Sequence, residues 1–237
     1  MAFVHGKGTG VLFDEFDLSA YFNQVNASRA IQAVNTTTFT NDDENYIAGL
    51  EEGSISIQGL WDGGADVVDE ELDAAIGLES IITVCPQGLA TLGNKAIMLK
   101  GENVSYQIRS TVTDAVRVVA GGTADGGVRT SGVLLQPLEA ETTTFNGTAI
   151  DSGASSAFGG VGHIHVTAFS GTDATVKIQD SSNGTDFSDL ITFSSITGLV
   201  AERMLVTGTV DQHIRFAITT DNFTSMTIAC AFARNRR

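Results

Sequence analysis

Proline occurs twice in this chain of 237 residues, cysteine twice and tryptophan once, and only 13 lysines and arginines stand against 28 acidic residues. Each shortage excludes something. Two cysteines cannot build a disulfide framework. Cys85 and Cys230 lie in the apolar runs IITVC and TIACAFA and read as buried free thiols. No apolar run approaches the roughly 18 residues of a membrane-spanning helix, so no span is expected. The opening MAFVHGKGTG reaches glycine and lysine before an apolar core forms, so no secretory leader is expected.

The shortage of basic residues is local. Residues 1–80 hold 15 acidic side chains against Lys7 and Arg29, a net −13, whereas residues 81–237 carry −2. Such a field repels phosphate, which excludes tight nucleic-acid binding through the first third. A solvated face that aids solubility is the plain reading of this acidity.

What the chain does have is 26 glycines and 42% apolar residues, arranged as many short apolar runs between Gly, Ser, Thr, Asn and Asp. That is the composition of an all-β protein with a sizeable core. Strands are expected at 80–85, 96–100, 104–110, 115–120 and 128–135, with GGTADGG (121–127) as the hairpin between the last two. Further strands are expected at 162–169, 174–179, 190–193, 204–209, 213–219 and 226–232, with DSSNGTDF (180–187) as a turn. Residues 3–16 read as an extended arm or edge strand, and 24–35 as a loose strand. One helix is expected, Val67 to Ile76, capped by Asp66 and ended by Gly77 in the left-handed conformation. Its stripe is Val68, Leu72 and Ile76. A polar stretch near Pro137 divides the chain into residues 1–140, a β-sandwich with a flanking helix and a long arm, and residues 141–237, a second all-β sandwich able to fold alone. TTTF at 36–39 and again at 142–145 makes the second domain a candidate divergent duplicate.

The arm is Thr36 to Gly49, polar and acidic, with only Phe39, Tyr46 and Ile47 as apolar anchors. It feeds SISIQGLW, where Ile55 and Ile57 alternate with Ser54, Ser56 and Gln58, the pattern of a half-buried strand. Long loops inside compact domains are uncommon and tend to be functional.

The run from Asp17 (DLSAYFNQVN) through NTTTFTNDDENYIAGLEEGSISIQGLWDGG to DEELDAAIG resembles the major tail (tail tube) proteins of long, non-contractile-tailed bacteriophages. The resemblance covers about the first 140 residues. It implies a β-sandwich with a flanking helix and a long loop, in subunits that stack as rings around a DNA channel. It also implies a virion location after assembly in the host bacterial cytoplasm, with tape measure and tail terminator proteins as partners. A ring would take six chains if only the first domain is tube-like and three if both are. On this reading Phe39, Asn41, Asp42, Asp43, Glu44, Tyr46 and Ile47 make an arm that a neighbouring copy orders. Asp42, Asp43, Glu44, Glu51 and Glu52 face the lumen or the ring junctions, and DNA passes without tight binding. The basic end, Arg234, Arg236 and Arg237, docks on an acidic neighbour or is a solvated tail. The alternative is a virion decoration or receptor- or carbohydrate-binding protein acting through its C-terminal sandwich.

Chemistry is sparse. His163 and His165 share a strand face, but only His213 accompanies them in this half and no cysteine or glutamate completes a metal set; they read as two polar-face histidines. DSSNGTD lacks the ligand spacing of a calcium loop. GKGTG at 6–10 departs from the P-loop pattern, and no GxSxG elbow exists. Adjacent Glu51 and Glu52 fix no catalytic pair. No catalytic residue, metal or cofactor is expected, and the chain is read as a non-enzyme.

Overall fold

The alternating patterns become strands joined in one antiparallel network, and the protein is mainly β with a single α-helix among the described residues. The computed structural model describes residues 5–64 and 67–236. In chain order the strands are β1 (Gly10–Phe13), β2 (Phe16–Asp17), β3 (Phe22–Asn35) and β4 (Tyr46–Leu60), followed by helix α1 (Val68–Ala74). Then come β5 (Glu79–Cys85), β6 (Lys95–Arg109), β7 (Arg117–Glu141), β8 (Phe145–Asn146) and β9 (Ile150–Asp151). The chain closes with β10 (Gly160–Ser181), β11 (Ser188–Thr192), β12 (Val200–Val206) and β13 (His213–Arg234).

Two compact units form, and their boundaries differ from the expected division at residue 140. Unit 1 gathers residues 1–22, 80–98 and 129–237; unit 2 gathers 23–79 and 99–128. The chain passes from one to the other inside β6 and β7, so the composition change near Pro137 falls within a strand. The two TTTF segments also differ in setting: Phe39 is fully exposed, whereas Phe145 packs on Phe216 with ring centroids 5.9 Å apart.

Unit 1 is built on one long ladder. β10 and β13 pair from Gly160↔Arg234 to Ser181↔His213, with register shifts between residues 166 and 176 of β10. The expected breaks at 170–173 and 220–225 are therefore bulges and bends within two 22-residue strands, not turns between four. β10 also pairs with β12 along 160–166 and with β11 along 177–180, while β13 pairs with β7, β8 and β9. Ile164, Val166, Ile228, Cys230 and Phe232 point into a core with Ile178, Phe193, Ile214 and Phe216. The alternate residues, Val161, Ala229, Ala231 and Ala233, pack on Leu12, Cys85, Ala96, Met98 and Leu134. The middle of the ladder is thus covered on both faces, which is why TIACAFA reads as a continuous apolar run. Within the opening segment His5 to Gly8 are exposed, but Val11, Leu12 and Phe13 are buried in β1, which pairs with β5 and β2.

Unit 2 holds β3 and β4, helix α1, and the parts of β6 and β7 within 99–128. β4 lies between β3 and β7, with Ser54↔Thr123 and Leu60↔Arg117 at the ends of the second pairing. Its inner half keeps the expected alternation: Ile55 and Ile57 are buried, Ser54 and Ser56 exposed. GGTADGG is not a hairpin but part of β7. Gly126 and Gly127 do take positive φ (72° and 77°), and a Cβ on Gly122 would come within 2.9 Å of Glu102 O on the adjacent β6. Glycine here allows two backbones to meet closely and the strand to bend.

Helix α1 is shorter than expected. The proposed Asp66 cap lies outside the described residues, and Val67 stands at the N-cap position without a side-chain bond. Val68 and Leu72 are buried as expected, but Ile76 is 42% exposed because it falls past the helix end. Gly77 takes φ +77° as expected, and its N–H donates to Asn103 O at 3.0 Å.

Candidate functional site

The surface that stands out is the β3–β4 hairpin of unit 2. Its strands are 14 and 15 residues long, and from Ser28 on β3 and up to Leu50 on β4 the residues are exposed. The loop between the strands is 36–45, because Tyr46 to Gly49, expected as loop, belong to β4. β3 pairs with β4 and ends the ladder on that side. Strand geometry sends successive side chains to opposite faces. Tyr46 and Leu50 therefore share a face and Ile47 takes the other, while Ile31 and Val34 on β3 oppose each other. All five are 40–79% exposed. Apolar side chains thus stand uncovered on both faces of a two-stranded ribbon, an arrangement marginal in water without further strands or a packing partner.

The loop is internally tied. Thr36 N–H donates to Asn45 O at 2.8 Å, and Asn45 N–H to Thr37 Oγ1 at 2.8 Å. Asn41 Oδ1 accepts from Thr38 N–H at 2.7 Å, and Tyr46 OH donates to Glu44 Oε2 at 2.6 Å. Phe39 is left fully exposed at the tip, beside the exposed Asp42 and Asp43. On β4, Glu51 is half-buried and pairs with Arg29 at 2.8 Å, while Glu52 is exposed on the other face. The five acidic candidates therefore stand in two settings, three around the tip and two along a strand. Three further exposed apolar residues, Val104, Ile108 and Val112, lie in β6 and the loop after it.

A polar knot that the sequence reading did not identify secures the base of β4. Asp69 Oδ1 on α1 accepts from Trp61 Nε1 at 2.7 Å and from the Tyr106 hydroxyl on β6. Burial first, then the Asp69 carboxylate, pushes the Tyr106 phenol up to about 12. The acidic first turn of α1 was legible as a helix start; its use as an acceptor for two aromatic groups needs the fold.

In unit 1 the basic end divides. The Arg234 guanidinium is half-buried and donates to Val210 O at 2.7 Å, to Gln212 O at 3.3 Å and to Asp211 O. Burial lowers its pKa. It is an internal tie, not a free contact. Arg236 is exposed, and Arg237 lies outside the described residues. His163 and His165 share a face as expected, but that face is buried, and both bond to Thr83. DSSNGTD is a turn: Asn183 Oδ1 accepts from the amides of Thr185 and Asp186, and Gly184 takes φ +75°. Both cysteines are free and buried, and burial raises the Cys85 thiol to about 12 and Cys230 further. Among the described residues no three His, Cys, Asp or Glu side chains gather in a metal-binding group, and no helix is long and apolar enough to cross a membrane.

No family model and no curated protein matches the sequence. Solved structures are similar at low identity. The virion of a native gene transfer agent particle gives 14% identity over 52% of this chain and 95% of that one, with a TM-score of 0.41. The SPP1 tail tube gives 12% over 54% and 79%, with 0.45. SPP1 Dit, described as a hub adsorption apparatus protein of Gram-positive infecting phages, gives 11% over 95% and 98%, with 0.38. None is similar enough to assign a function to this chain.

Proposed function

We propose that the protein is a structural virion subunit that self-assembles into stacked rings, forming a phage tail tube through which DNA passes. The observation that carries this reading is the β3–β4 ribbon, with apolar side chains uncovered on both faces and a terminal strand open to a further partner. Apolar burial contributes roughly 25 cal/mol per Å², and an edge strand offers unpaired backbone groups that a neighbouring chain can satisfy. A second copy, carrying the same surface, is the partner that a repeating assembly requires. The sequence resemblance over the first 140 residues supports the same reading, as does a strongly acidic first third that gives phosphate nothing to hold. Tape measure and terminator proteins are the further partners the reading implies.

Sedimentation of the purified chain tests it. Wild type should form large, concentration-dependent species. Ile47→Ser combined with Leu50→Ser, one substitution on each ribbon face, should remain monomeric with an unchanged circular dichroism spectrum. Assembly by the double variant at the wild-type concentration would contradict the role of the ribbon.

A further inference from the structure

We propose that Asp14, Thr83, His163 and His165 form an acid-released latch that fastens the N-terminal layer of unit 1, strands β1 and β5, to the β10–β13 ladder. Three segments far apart in sequence meet here. His165 Nδ1 lies 2.6 Å from Asp14 O, His165 Nε2 lies 2.8 Å from Thr83 Oγ1, and His163 Nδ1 lies 3.1 Å from the same hydroxyl. Both imidazoles are at most 1% exposed.

The chemistry of these groups fixes every proton. A carbonyl only accepts, so His165 carries its proton on Nδ1. Its Nε2 is then a lone pair, and the Thr83 hydroxyl donates to it. Thr83 has one proton, so toward His163 it accepts, and His163 Nδ1 donates. The chain runs His163 to Thr83 to His165 to Asp14 O, with both rings neutral. Protonating His165 would put a second donor on Nε2 and strand the Thr83 proton. His163 Nε2 is buried without a hydrogen-bond partner, so a proton added there would also be unsatisfied.

Asp14 is itself held firmly. Its φ is +46°, its N–H donates to Ile81 O at 2.9 Å, and its carboxylate accepts from Ile81 N–H at 2.7 Å. The charged surroundings do not favour an imidazolium. Arg203 on β12 stands opposite His163. On β5 the Cys85 thiol stays neutral, and β13 presents Ala229 and Ala231 across from the two histidines. On the β1–β2 turn the Asp14 carboxyl, raised by burial with a smaller push from Glu15, is engaged with the Ile81 amide.

Burial, then the neighbouring His165 and Arg203, holds His163 well below its ordinary value. Burial holds His165 near 4, with the Asp14 carbonyl pulling the other way. Released histidines titrate at about 6.5. Both folded values are depressed for a base, so the latch is fully closed above about 6.5. It weakens as pH falls toward 4, because the open state takes up protons that the closed state refuses. His165 alone shifts the opening equilibrium about thirtyfold between pH 7.5 and 5.

Hydrogen exchange of the full chain, corrected for intrinsic rates, tests this. Between pH 7.5 and 5, β1 and β5 amides should lose protection by at least about thirtyfold. Residues 174–181 and 213–218, at the far end of the ladder, should keep theirs. Unchanged protection of β1 and β5, or equal loss across all strands, would overturn the latch. The double variant His163→Gln/His165→Gln should flatten the pH dependence, and persistence of the wild-type slope would also overturn it. If that variant does not fold, NMR titration of the two wild-type rings decides: values below 6 support the latch, and a value at or above 6.5 for either ring refutes it.

Discussion

On β13 the large residues Ile228, Cys230 and Phe232 alternate with Ala229, Ala231 and Ala233, and the difference in size sets what each face can accept. The alanine face meets Leu12, Met98 and Leu134, which fill the space a longer side chain would need. Ala231→Leu should therefore overpack this layer and cost about 1–3 kcal/mol, read as a lower melting temperature. Ala33→Leu, on the exposed part of β3, should change stability by no more than about 0.5 kcal/mol. Asp69 offers a second test at this scale. Removing its carboxylate as Asp69→Ala should let the Tyr106 phenol fall from about 12 toward the ordinary 10, because a negative acceptor no longer opposes ionisation. Ultraviolet titration of the phenol measures it, and an unchanged value would mean that burial alone holds Tyr106 up.

At the scale of elements, what the sequence made legible was whatever depends on local alternation or a single backbone rule. SISIQGL became the inner half of β4, and Gly77 took a positive φ in the turn that follows α1. Long strands were not legible. Interruptions such as GGTADGG, or the polar residues between 169 and 174, look the same whether the chain turns back or bulges and continues. The choice belongs to the partner strand: β10 runs on because β13 follows it through four register shifts. The candidate site shows the same division. The exposure of the arm, with Phe39, Tyr46 and Ile47 uncovered, was legible, but the start of β4 at Tyr46 was not, and neither was the internal tie that takes Arg234 out of the basic end. For the hairpin, the loop hydrogen bonds at 36–45 are all solvent-exposed and contribute little protection by themselves. Amides 36–45 should exchange fast in the monomer and slow at least tenfold on assembly. Equal, strong protection in both states would remove the hairpin from the assembly surface.

For the whole molecule, the interleaving of segments has a consequence for truncation. Residues 147–237 share unit 1 with 80–98 and 129–141, and β13 pairs with β7. Expressed alone, they would expose the alanine face of the ladder and one edge of β13, so this fragment should lack a cooperative melt. The distribution of charge acts at the same scale. Subunits that stack with −13 in residues 1–80 repel one another unless the carboxylates are spread over water or face cations such as Arg236. Reversing Asp42, Asp43 and Glu44 to lysine should change assembly in a salt-dependent way if the tip meets a neighbour, and should slow DNA release from particles if it lines a channel. The most direct measurement of the central claim is negative-stain electron microscopy of the purified wild-type chain, concentrated at physiological salt. Hollow, open-ended tubes or stacked rings of uniform diameter are the predicted result. Discrete monomers at every concentration, with the β3–β4 ribbon intact, would contradict it.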